Sequence, residues 1–180
     1  MLLGRAARYL PADSAHVRRV VERLLSALRT PSELVQEAVA SCLPALVRAS
    51  AAAKDVPSIV DRLFVDLLHG DKYATRRGAA YGLAGVVKGR GVSAIRELRI
   101  LARLSEAAHD TSTTTTRQGA LFAYELLAST LHVLLEPYVD GILADLLLCF
   151  GDTHADVREA TQDAARVLMR SPVSYTHLRA

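Results

Sequence analysis

The sequence predicts an all-α protein, a solenoid of about four stacked helix pairs plus a partial unit at the N-terminal side. Three observations carry this reading. The 180-residue chain is 51% hydrophobic but only 5% aromatic, with Ala and Leu dominant and Trp and Asn absent. That excludes disorder and leaves too few alternating Val, Ile, Thr and aromatic positions for a β-sandwich. The chain also repeats itself: SELVQEAVASCLPALV (32–47), YATRRGAAYGLAGVV (73–87), TTTRQGALFAYELLA (114–128) and ADVREATQDAARVLM (155–169) align on the column Ala38, Gly78, Gly119, Ala160, at spacings of 40, 41 and 41. Finally, small or apolar residues recur four and eight positions later, as Cys42, Gly82, Ala123, Ala164 and then Leu46, Val86, Leu127, Leu168, which is one face of a helix.

Each unit opens with an earlier helix. Leu28, Leu68, His109 and Phe150 lie ten residues before the anchor column, and Val20, Val60, Leu101 and Ile142 lie eighteen before it. Polar turns separate the two helices, and Asp71, Asp110 and Asp152 within them suit N-caps of the second helix. Pro31, Pro57 and Pro137 fall near helix starts, where a missing N–H costs least. A helix–turn–helix unit of this length is in the range of HEAT repeats, whose single pairs must stack to bury both faces. The expected organisation is residues 1–10, the end of a preceding repeat helix; residues 11–170, four HEAT repeats at about 11–50, 56–90, 93–133 and 136–170; and residues 171–180, a non-native or disordered tail. Neither end carries a polar capping repeat, so a piece of a longer solenoid is expected.

Unit two carries Gly78, Gly82, Gly85 and Gly89 along one face. Each glycine costs about 1 kcal/mol against Ala in a helix, so the series needs a reason. Tight helix–helix packing supplies one; approach of a partner's backbone is the other. A membrane GxxxG face is excluded by the flanking Arg76, Arg77, Lys88 and Arg90. No uncharged run reaches the length of a membrane span.

Catalytic chemistry is not visible. There is no GxSxG elbow, no HExxH pair and no phosphate loop. The six histidines never pair at metal-ligand spacing, and Cys42 and Cys149 lie far apart without a CxxC. Both cysteines read as buried small apolar residues, and the TSTTTT run (111–116) as a loop with capping hydroxyls. No catalytic residue, metal ligand, cofactor or small-molecule substrate is expected.

Charge is unevenly spread behind a net of +3. Residues 72–103 hold Lys72, Arg76, Arg77, Lys88, Arg90, Arg96, Arg99 and Arg103 against the single acid Glu97, a local +7, whereas residues 106–163 carry −8. Arg96, Arg99 and Arg103 read as a stripe on the first helix of unit three. Arg76 and Arg77 read as first-turn residues, where the helix dipole disfavours cations. Two explanations compete: a solvated face paired with its acidic neighbours, or a surface for a phosphate backbone or acidic partner. No aromatic interleaves the stripe, so stacking on single-stranded bases is not expected.

The strings DKYATRRGAAYGLAGVVKGRG (71–91), RQGALFAYELL (117–127), LEPYV (135–139) and LLLCFGDTHADVREA (146–160), with TPSELVQEAVASCLPALV (30–47) upstream, carry a resemblance more specific than the HEAT period. The chain resembles the giant HEAT-repeat translational activator family of general amino-acid control, in or beside its section similar to elongation factor 3. That resemblance implies a cytoplasmic, ribosome-associated, non-enzymatic scaffold. It would promote activation of the kinase of initiation factor 2 alpha under amino-acid starvation and ribosome collision, within the integrated stress response. It implies a ribosome contact through the basic segment and kinase contact through other parts of the full-length protein. An elongation-factor-3-like ATPase and a generic HEAT adaptor are the competing readings.

Overall fold

The computed structural model describes residues 15–48 and 52–170, with side chains from residues 19–48 and 55–170. The expected preceding helix end at 1–10 and the tail at 171–180 lie outside the described residues. Helices α1 (Ala15–Ala27), α2 (Glu33–Arg48), α3 (Ala52–His69) and α4 (Tyr73–Arg90) form two antiparallel pairs. The third pair has a divided first helix, α5 (Ser93–Glu97) and α6 (Ile100–Ala108), followed by α7 (Thr114–Leu131). A 3₁₀ turn, His132–Tyr138, leads to α8 (Val139–Phe150) and α9 (Ala155–Arg170). There is no strand among the described residues, and the architecture is an all-α HEAT solenoid.

The second helices α2, α4, α7 and α9 lie side by side and the first helices cover one flank of that row. The small-residue column sets how closely each second helix approaches the end of the first helix in the preceding pair. A Cβ on Gly78 would fall 1.8 Å from the Leu28 carbonyl oxygen, and one on Gly119 would fall 2.1 Å from that of Leu67. The core is continuous, running from Leu25 and Leu28 through Leu63, Leu67, Leu83 and Val86 to Leu121, Leu127, Leu146 and Leu168. It closes around aliphatic side chains and helical Ala and Gly, which is why so few aromatics suffice.

Several local expectations are corrected. The turn aspartates do not cap the second helices: the residues at the N-caps of α4 and α7 are Lys72 and Thr113, and neither makes a side-chain cap. Asp110 instead accepts from the backbone N–H of Ser112, and Asp152 from that of His154, both at 2.8 Å. These Asx turns fix the loop before the helix begins. Pro57 lies in the second turn of α3, past the first helical position, whereas Pro137 stands two residues before α8, within the 3₁₀ turn, near a helix start as expected. Cys149 is buried, but Cys42 is only half-buried.

The first helix of pair three breaks at Arg99, whose φ of 51° and ψ of 35° are left-handed. Buried Ile95 and Ile100 are five residues apart, one more than a continuous helix face allows. The left-handed residue absorbs the extra position and returns Ile100, Leu104 and Ala108 to the core. Arg96, Arg99 and Arg103 therefore do not form one helical stripe.

Candidate functional site

The basic residues of 72–103 divide into two populations, and α4 holds both. At its start, Arg76 and Arg77 face inward across the stacked turns. Arg76 is 6% exposed. Its Nη1 donates to the carbonyl oxygens of Gly70 (2.7 Å) and Asp71 (3.2 Å), and its Nη2 to Oε1 of Gln118 in the next pair (2.7 Å). Burial pushes this guanidinium below its ordinary pKa, partly offset by Asp156, Tyr73 and Asp71. Its Nε is the one buried side-chain polar atom without a partner among the described residues.

Arg77 forms a fork with Glu125 of α7, donating from Nη2 to Oε1 at 2.8 Å and from Nη1 to Oε2. It also lies over the rings of Phe122 (5.3 Å) and Tyr81 (5.7 Å) and stands 3.5 Å from Glu33 of α2. Burial opposes its charge, but the Glu125 carboxylate outweighs burial and raises the pKa further. The expectation that these two arginines sit against the helix dipole for an external anion is corrected: Arg77 has its anion inside the protein, in Glu125, and Arg76 is held by neutral carbonyl and amide oxygens.

Arg76 belongs to a column that sequence reasoning missed. Gln36, Arg76, Arg117 and Arg158 recur at spacings of 40, 41 and 41, two residues before the small-residue anchor. Each reaches back to the carbonyls of its own turn. Gln36 Nε2 donates to Leu28 and Thr30, and it also reaches Ala74 of the next pair at 2.9 Å. Arg117 donates to the Asp110 carbonyl (2.6 Å), and its Nε donates to Oδ2 of Asp152 in the next pair (2.7 Å). Arg158 holds the carbonyls of Asp152 and Thr153. Burial alone would raise the Asp152 pKa, but the His154 N–H and Arg117 together hold it below the usual carboxylate range. The signal was available in the same alignment that gave the glycines.

Arg103 is also engaged: it donates to Asp61 of α3 (2.8 Å), with its guanidinium 3.6 Å from the centre of the Phe64 ring. Arg99 stands 3.6 Å from Glu106, an exposed pair. Lys72 is exposed but sits at the opposite end of α4 from Lys88, about 24 Å away at the helical rise of 1.5 Å per residue.

The remaining cations gather at the other end. Lys88, Arg90 and Arg96 are exposed around the α4–α5 junction, where Gly91 takes a φ of 91°. Among the described residues Arg90 has a single ion pair, to Glu97 at 4.0 Å, and Lys88 and Arg96 have none. Arg48 joins them from the end of α2. It occupies the same repeat position as Lys88 and is exposed; sequence reasoning passed over it although the 40-residue spacing marks it. Cations at helix C-termini complement the dipole by about 0.3–1 kcal/mol each, which accounts for Arg48, Lys88 and Arg90; Arg96 stands in the last turn of the short α5.

The glycines pack within the molecule. Gly78 faces the Leu28 carbonyl, Gly82 the side chains of Leu28 and Leu63, Gly85 the Ala40 backbone and Gly89 the Pro44 backbone. Among the described residues no cluster of His, Cys, Asp and Glu could hold a metal ion, and no helix is long and apolar enough to cross a membrane. The nearest approach to a reactive constellation is Asp145, buried in α8. It accepts from the Tyr124 hydroxyl (2.5 Å) and Ser105 Oγ (3.1 Å), 3.7 Å from Nδ1 of His109. Burial and then Asp145 push the Tyr124 phenol up. Ser105 is turned toward the carboxylate, so this group is a polar clasp between α6, α7 and α8.

Residues 76–177 match the family of EF3 N-terminal HEAT repeats. The chain belongs to that family. It is 47% identical over 169 residues, 94% of its length, to the stalled ribosome sensor GCN1 of Homo sapiens. It is 44% identical over 172 residues, 96% of its length, to the protein ILITYHIA of Arabidopsis thaliana. It is 37% identical over 176 residues, 97% of its length, to the eIF-2-alpha kinase activator GCN1 of Saccharomyces cerevisiae. The chain spans 6% of the length of each of these relatives. The resemblance drawn from the YGLAG and LLLCFGD strings thus holds over most of the chain, and the elongation-factor-3-like character is a property of this HEAT region.

Proposed function

We propose that the chain is a non-enzymatic HEAT scaffold segment of a cytoplasmic, ribosome-associated regulator of translation. The larger protein promotes activation of the initiation factor 2 alpha kinase in amino-acid starvation and ribosome collision, with the kinase bound by other parts. The reading rests on the names carried by the relatives, a stalled ribosome sensor and an eIF-2-alpha kinase activator. The observation that carries a ribosome contact for this segment is the end of α2 and α4, where Arg48, Lys88, Arg90 and Arg96 are exposed together.

A phosphate-rich surface is attracted to such a cluster and releases counterions on contact, so binding falls steeply with salt. Co-sedimentation of the chain with ribosomes across a salt series tests the assignment, beside the variant Lys88→Glu/Arg90→Glu/Arg96→Glu. Salt-sensitive pelleting that the variant loses supports the contact. Equal pelleting of both removes this cluster from the interface. Arg76 and Arg77 are left intact, because reversing either would unfold the turn rather than probe a surface.

A further inference from the structure

The face opposite the first helices has a different character. Along the row of second helices it exposes Leu34 (80%) and Tyr73 (58%). Exposed carboxylates flank them: Glu37 on α2, and Asp156 and Glu159 on α9. Among the described residues no cation lies within ion-pair distance of these three. The face between them is tied together across α2, α4 and α7. The Glu33 carboxylate accepts from the Tyr81 hydroxyl at 2.7 Å, Arg77 lies on Phe122, and Phe122 meets Tyr73 edge-on at a centroid distance of 5.1 Å. Tyr73 is exposed, so its ring offers aromatic surface to a cation.

We propose that this face docks a basic, amphipathic helix of a protein partner. Its cations would lie on Glu37, Asp156, Glu159 and the Tyr73 ring, and its apolar side on Leu34. Charge selects the occupant: three carboxylates outweigh Lys72, the exposed residue beside Tyr73, and phosphate is drawn instead to the Arg48–Lys88–Arg90–Arg96 end. Size agrees. Glu37 and Glu159 occupy one repeat position on α2 and α9, three inter-helix spacings of 8–10 Å apart, or roughly 24–30 Å. A helix of about 18 residues covers that span. The surface is open rather than cleft-like, as suits a helix rather than a small molecule.

The test is fluorescence anisotropy of the 180-residue chain with a labelled synthetic peptide of Arg and Leu in amphipathic helical register. Three variants are compared: Glu37→Gln/Asp156→Asn/Glu159→Gln, Leu34→Ser/Tyr73→Ser, and a control with Glu97→Gln/Glu106→Gln/Asp140→Asn, carboxylates off this face. Circular dichroism melts first establish that all three fold. Weakening of at least ten-fold in both face variants, with the control within two-fold of the parent, is the expected result. A control that weakens as much as the face triple reduces the effect to bulk charge and overturns the proposal, as does an unchanged affinity in Leu34→Ser/Tyr73→Ser. Sedimentation showing self-association that the same double variant abolishes, without peptide binding, would give the face to a second copy of the chain. Duplex RNA binding lost in that variant would give it to nucleic acid. Either outcome overturns the proposal.

Discussion

The two ends of α4 carry similar charge and have opposite fates. At the start, Arg76 and Arg77 are held by carbonyls and by Gln118 and Glu125 of the next pair. At the end, Lys88 and Arg90 are exposed, and a 4.0 Å approach to Glu97 is the one ion pair between them among the described residues. Composition does not separate these ends; stacking does. The turns within pairs lie against one another, so a cation beside a turn meets the neighbouring pair. The end of a second helix is where the chain departs for the next first helix, and there the side chains point to water. The difference teaches that a local charge of +7 is not a surface charge until the neighbouring repeat has been set beside it.

Substitutions at the two ends sharpen that contrast. The largest effect belongs to Gly78→Ala at the packed start, because the new Cβ meets a backbone oxygen that cannot swing away. A loss of about 3 kcal/mol or more is expected from overpacking, read as the urea midpoint. Next comes Arg77→Ala, which strands the part-buried Glu125. A cost of about 3 kcal/mol follows from breaking such a pair from one side, whereas Lys88→Ala shifts the same midpoint by less than about 0.5 kcal/mol; equal losses would erase the distinction between the ends.

Asp152→Asn carries the comparison to pair four and makes it depend on pH. The folded pKa of Asp152 lies below its unfolded value. Its charge therefore contributes stability above about pH 4, and that contribution is lost as pH falls through the folded pKa. Asn keeps an Oδ1 acceptor for His154 but leaves Arg117 without its anion. The variant is expected to be about 1.5–3 kcal/mol less stable at pH 7, with the gap closing toward pH 3; a gap that persists in acid would assign the effect to shape rather than charge. The smallest effect is Arg99→Gly, which relieves a left-handed residue and gains at most about 1 kcal/mol in thermal stability.

The repeat was legible because it is written in every unit; the glycine series left two readings open, and only the approach of the Leu28, Ala40 and Pro44 backbone selects packing within the molecule. Arg76 and Arg77 were misread because their partners, Gln118 and Glu125, lie 42 and 48 residues away, beyond any count of charge along the chain. The break at Arg99 has no Gly or Pro to announce it; its trace is the five-residue step from Ile95 to Ile100. The turn aspartates have the right chemistry for caps but stand too early, and hydrogen-bond within the loop. Cys42 follows the small-residue column without being fully buried, because the face of α2 it lies on has less of the molecule packed over it than the same faces of α4 and α7. Of the candidate basic surface, Lys88, Arg90 and Arg96 stay outward and Arg76, Arg77 and Arg103 turn to internal partners.

The column of Gln36, Arg76 and Arg117 gives the stack a polarity. Each of these side chains belongs to one pair and borrows an acceptor from the pair that follows it, never from the one before. When a following pair opens, the pair before it is left with a donor already withdrawn from water and now unsatisfied, which costs more than an acceptor released to solvent. Fraying that begins at α8 and α9 is thus handed backward along the chain, and fraying that begins at α1 is not handed forward with equal force. Amide exchange in the turns should accordingly be graded along the sequence, with the α3–α4 turn exchanging sooner after pair three is weakened than after pair one is.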